Sequence, residues 1–106
     1  MPSFAEMTAA KRRLTILRIL YEADGTANTS SIETALRACG FTGAALGFGV
    51  VEADCELMQS LGYVFVERLQ GRFGEVVTVR LGKIGVAYLH REAPEVDDVE
   101  YPKIGW

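Results

Sequence analysis

Between Met7 and Asp24 the apolar residues Met7, Ala10, Leu14, Leu17 and Tyr21 recur at spacings of three and four, with Ile16, Ile19 and Leu20 widening the stripe. That period predicts a first helix, uninterrupted by Gly or Pro and stopped at Asp24-Gly25. Residues 1–6 read as a flexible arm ahead of it. Thr26 to Ser30 is a polar connection, and Ser30-Ser31-Ile32-Glu33 fits a capping box. Ile32, Ala35, Leu36 and Cys39 then form the inner face of a short second helix from Ser31 to Cys39, with Gly40 as a left-handed stop. Gly43, Gly47 and Gly49 follow within seven residues. Each costs roughly 1 kcal/mol in a helix interior, so this segment is a turn holding at most one helical turn at 43–47. A third helix begins near Phe48 and presents Val51, Cys55, Met58 and Leu61 inward, beside Val50, Asp54 and Leu57.

After Gly62 the period changes to two. Tyr63 to Leu69 alternates and is rich in β-formers, Gln70-Gly71-Arg72-Phe73-Gly74 is a five-residue turn, and Glu75 to Leu81 returns as the second strand of a hairpin. Gly82-Lys83-Ile84-Gly85 opens a last helix, Val86 to Arg91, which ends before Pro94. Residues 92–106 form an acidic, extended tail finishing on the apolar Ile104-Gly105-Trp106. The domain proper therefore spans 7–91.

Three helices, a hairpin and a C-terminal helix make an α+β domain in the order of a winged helix-turn-helix. More narrowly, Leu14-Thr15-Ile16-Leu17-Arg18-Ile19-Leu20, Asn28-Thr29-Ser30-Ser31-Ile32, Val51 and Asp54, Leu61-Gly62-Tyr63-Val64-Phe65-Val66, and Val79-Arg80-Leu81 with Gly85-Val86-Ala87 carry a resemblance. Over roughly residues 11–90 the chain resembles the small winged-helix, arsenic-repressor-like proteins of Mu-like phages and prophages. The resemblance implies a dimeric, cytoplasmic DNA-binding transcription regulator that pairs through its first and last helices. On that reading Tyr88, Leu89 and Trp106 are the dimer-interface candidates, against the alternative that they pack on their own domain. The matching positions are mostly core and turn residues, which speak to fold more than to activity. Where the family starts its third helix with a Ser-Arg-Asp-like sequence and adds another Arg a turn later, this chain has Gly47-Phe48-Gly49 and Glu52. Where the family caps its last helix with Thr, this chain has Gly82.

Charge sharpens that departure. The 106-residue chain is 49% hydrophobic and 24% charged, with a net charge of −3. Residues 92–106 hold five acids and one base, which leaves nine acids and ten bases in the body. The size suits one domain, no apolar run suits a membrane span, and the first residues lack a signal peptide's pattern, so an intracellular protein is expected. From Gly43 to Leu61 there is no Lys, Arg or His, while Glu52, Asp54 and Glu56 are present. Base edges in the major groove are read by Arg, Lys, Asn or Gln, and phosphates demand cations. The candidate DNA contacts are therefore Arg72 at the hairpin tip, Arg68, Arg80 and Lys83 along the hairpin, and Lys11-Arg12-Arg13 on the first helix. For each the plainer alternative is a solvated surface charge, and Arg68 or Arg80 can pair with Glu67 or Glu75 across the strands. A second function stays open: a protein-interaction or assembly module that has lost base reading.

No enzymatic constellation is present. His90 is the single histidine, the carboxylates lack a nucleophile or metal-ligand spacing, and no cofactor or metal is implied. Cys39 and Cys55 are too far apart for a redox or zinc motif and are expected to be buried free thiols.

Overall fold

The computed structural model describes residues 1–105. Helix α1 (Phe4–Glu22) is followed by strand β1 (Thr26–Asn28), helix α2 (Thr29–Ala38), a 3-10 turn (Gly43–Leu46) and helix α3 (Val50–Ser60). Strands β2 (Val64–Gly71) and β3 (Gly74–Leu81) and helix α4 (Lys83–Leu89) complete an α+β domain of four α-helices and one antiparallel sheet. The core gathers Ile16, Leu17 and Leu20 of α1, Ile32 and Leu36 of α2, Cys55 and Met58 of α3, Val64 and Val79 of the hairpin, and Tyr88 and Leu89 of α4.

Helix α1 starts earlier than its apolar stripe. Ser3 caps it, accepting from the Glu6 amide at 3.1 Å while the Glu6 carboxylate accepts from the Ser3 amide at 3.3 Å. This reciprocal cap satisfies two free donors, so Phe4 to Glu6 are helical rather than part of a loose arm. Helix α2 also starts earlier: Asn28, not Ser30, is its cap, its side-chain oxygen accepting from the Ser31 amide at 2.8 Å. The polar stretch before it is not a simple connection. Thr26, Ala27 and Asn28 pair with Arg80, Val79 and Thr78, adding a third strand in the order β1-β3-β2. Cys39 caps the far end of α2 and is exposed, which corrects the expectation of a buried thiol.

The hairpin is tighter and longer than its sequence suggests. Pairing runs from Val64↔Leu81 through to Gly71↔Gly74, leaving only Arg72 and Phe73 as the loop. Gly74, at φ 125°, supplies backbone freedom that side-chain-bearing residues lack. At the other end of β3 the sheet meets α4 with almost no clearance. A Cβ at Gly82 would lie 3.0 Å from the Phe65 ring and 3.1 Å from the Gly62 carbonyl, so a threonine cap would crowd both and require them to give by a few tenths of an ångström.

Residues 92–105 are not a free tail. The buried Tyr88 hydroxyl donates to the Val99 carbonyl at 2.6 Å, and burial, the largest of several influences, pushes its pKa up to about 12. The Glu100 amide donates to Ala10 of α1 at 3.1 Å, and Tyr101 meets Tyr88 edge-on at 5.3 Å. Val99 is fully buried, so the segment is a strap across α1 and α4. No helix among the described residues is long and apolar enough to cross a membrane.

Gly85, inside α4, tests this packing. Glycine to alanine in a helix ordinarily stabilises by up to about 1 kcal/mol. Here the new Cβ would sit 2.3 Å from the Tyr63 carbonyl oxygen and 2.9 Å from Leu81. Gly85→Ala is expected to destabilise by about 1–3 kcal/mol or more, as overpacking does, read as a lower urea midpoint. A raised midpoint would show that α4 does not press on the sheet this way.

Candidate functional site

The charged side chains converge on two places. The first is interior. Asp54, on the inner arc of α3, is 2% exposed. Arg12 grips it bidentately, with Nε donating to one oxygen and Nη2 to the other at 3.0 Å. Arg13 Nε donates to the same carboxylate at 2.9 Å. The remaining donors bind backbone, Arg12 reaching Ala45 O of the 3-10 turn at 3.2 Å and Arg13 reaching Asp98 O of the strap at 2.9 Å. These two arginines are structural clamps, which corrects their assignment as DNA contacts. A buried carboxylate needs charge-assisted hydrogen bonds, and two adjacent residues of α1 provide them.

The second place is the corner between α3 and the hairpin. Arg68 pairs directly opposite Val77, so it shares the inner face of the sheet with Val64 and Val66. Its guanidinium lies among three carboxylates: Glu56, Glu52 at 3.2 Å and Glu75 at 3.0 Å. Hydrogen bonds to Glu56 first, then Glu52 and Glu75, raise its pKa further. Three carboxylates on one guanidinium leave the corner with two negative charges in excess. Arg68 is thus consumed inside the chain, and the cross-strand pair with Glu75 is the one the sequence allowed.

Beside this corner lies a cleft of about 370 Å³ between α2 and the start of α3, lined by Glu33, Arg37, Phe48 and Glu52 among others. Phe48 is fully exposed, and the Gly49 that follows it caps α3 in a left-handed conformation at φ 76°. Phe73, at the hairpin tip, is almost as exposed. Neither aromatic stood out in the sequence, where Phe48 read as the start of a helix and Phe73 as turn.

The other predicted residues are dispersed. Lys11 is exposed on α1, Arg72 is exposed at the hairpin tip, and Lys83 is exposed at the start of α4. Arg80 lies on the outer face of the sheet with its guanidinium 5.2 Å from the Phe65 ring centre. The hairpin separates Arg72 from Arg80 and Lys83, so these cations do not form one continuous basic surface. Tyr88 and Leu89 are fully buried in their own domain, which corrects their assignment to a dimer interface. Trp106 lies outside the described residues. No group of three or more His, Cys, Asp or Glu suited to a metal ion occurs among the described residues.

Two measurements check the interior. Asp54→Ala leaves two guanidinium groups without their carboxylate and is expected to cost about 3–5 kcal/mol, the cost of breaking a buried pair. Urea unfolding reads it, with Lys11→Ala as a control expected to change stability by less than about 0.5 kcal/mol. For the thiols, burial first and then Asp54 push the Cys55 pKa up to about 12, whereas Cys39 is exposed. A chromogenic disulfide reagent at neutral pH should therefore titrate Cys39 alone in the native protein and both thiols in denaturant. Rapid reaction of both in the native state would contradict the buried position of Cys55. Comparison with protein-family models, with curated proteins and with solved structures returns no match.

Proposed function

We propose that the chain is a winged helix-turn-helix domain working as a protein-interaction or assembly module, with an α3 that does not read bases. The order α1, α2, 3-10 turn, α3, hairpin and the three-stranded sheet support the fold. The resemblance to small phage winged-helix proteins supports a place in a phage or prophage gene cluster. The observation that carries the functional reading is the enclosure of Arg68 by Glu52, Glu56 and Glu75. A helix that reads bases must come close to the phosphate backbone, and carboxylates fixed on α3 and the adjacent strand oppose that approach where cations would release counterions. Phe48, just before α3, and Phe73, at the hairpin tip, are exposed aromatic rings, the kind of side chain on which interfaces concentrate their energy.

The second reading is a DNA-binding transcription regulator that touches DNA through the hairpin tip. Arg72 supports it, since it is exposed at the tip and forms no ion pair among the described residues. Fluorescence anisotropy with mixed-sequence duplex DNA at low salt separates the two, because electrostatic binding is strongest there. The interaction-module reading expects no saturable binding and no difference between the wild type and Arg72→Ala. Saturable binding that weakens steeply with salt and is lost in Arg72→Ala would replace it with the second reading.

A further inference from the structure

The sheet has one packed face and one open face. Val64, Val66, Val77 and Val79 point into the domain, and the alternate residues point out. On the open face three cross-strand rows follow one another: Phe65 opposite Arg80, Glu67 opposite Thr78, and Leu69 opposite Val76. Phe65, Leu69 and Val76 are 49%, 55% and 44% exposed, an apolar exposure that none of the preceding functional readings uses. The edge of the sheet is a different matter. The Val66 amide on β2 already donates to the Gln59 side chain at 2.6 Å, and β1 is only three residues long. Addition of a strand is therefore discouraged, and the face is what remains.

We propose that this open face is a self-association surface whose occupant is a second copy of the chain. Charge argues for that occupant. The net −3 of the chain is concentrated in residues 92–106, and the corner of α3 is acidic as well, so two copies repel where either of these regions meets its counterpart. The open face is neutral, holding one acid, Glu67, and one base, Arg80, across its two long strands. It is also self-complementary. A two-fold axis along the β2–β3 seam lays each β2 over the other copy's β3 without shifting the rows. Leu69 then meets Val76 of the second copy, and Phe65 meets the Arg80 guanidinium that already prefers an aromatic face. Glu67 faces Thr78 of the second copy, with that copy's Arg80 one row away, about 7 Å along the strand. Two strands of eight residues make a patch smaller than the roughly 800 Å² per partner of a standard interface, so the dimer belongs to the weak, reversible class. The proposal does not depend on whether the α3 corner binds protein or DNA.

Sedimentation over roughly 10–500 μM chain, a range that spans weak association, tests it. The wild type is expected to dimerise with concentration. Glu67→Arg and Arg80→Glu each place like charges across the axis and are expected to weaken the dimer by about tenfold or more. The decisive arm mixes the two variants in equal amounts. One face is then all positive and the other all negative, and a heterodimer is expected to form where neither variant self-associates. Circular dichroism confirms that both variants stay folded, as substitutions at exposed strand positions allow. A chain that remains monomeric throughout, a dimer indifferent to both substitutions, or a mixture that fails to pair overturns the proposal. Any of those results assigns the face to another occupant or to solvent.

Discussion

The fold hangs on one buried carboxylate. Asp54 sits on the inner arc of α3, and its charge is held by two guanidinium groups from adjacent residues of α1. Consecutive residues on a helix point about 100° apart, so Arg12 and Arg13 approach the same group from different sides. Their spare donors then reach the 3-10 turn and the strap. One ionic knot thereby fixes the angle of α3 against α1, the path of the turn between α2 and α3, and the return of the C-terminal segment. Such a knot adds little net stability compared with an apolar replacement of the same shape, but losing one member leaves the others uncompensated. An arrangement that separated these three side chains would leave buried charge uncompensated.

The same chemistry decides what the surface can do. Of the seven cations that suggested DNA, Arg12 and Arg13 serve Asp54 and Arg68 serves three glutamates. Carboxylates on α3 were the visible anomaly of the sequence, and the structure gives each of them an intramolecular cation. A helix whose outer acids are tied to the adjacent strand presents a negative corner, with the exposed Phe48 just before the helix. On the proposed reading, that surface suits a partner chosen by shape and apolar contact over one chosen by phosphate charge.

The elements with a sustained period were legible: three helices and a hairpin follow from spacings of three and four and then of two, and the last helix from its glycine opening and the proline beyond it. What the sequence concealed was short or depended on distant partners. Strand β1 has three residues, too few to show alternation, and exists because β3 offers it an edge. The capping box at Ser3 was written as Ser-x-x-Glu, but it lies ahead of Met7, where the apolar stripe begins. Arg68 could have been placed by parity, since it is in step with Val64 and Val66 and so faces α3. Tyr88 and Leu89 looked like interface residues because the strap that covers them has no periodic signal. Its hold comes from tertiary hydrogen bonds to Tyr88, Arg13 and Ala10.

That strap has a bearing on how the domain breathes. Arg13 holds Asp54 with one nitrogen and the strap's Asp98 carbonyl with another. Peeling the strap away would free the Arg13 side chain, expose the Tyr88 hydroxyl and loosen one of the two grips on α3. The amides of α3 should then exchange with solvent as part of the same opening event as those around Val99, although more than forty positions separate them in the chain. Through Arg13, the C-terminal segment and α3 would then share one step of partial unfolding.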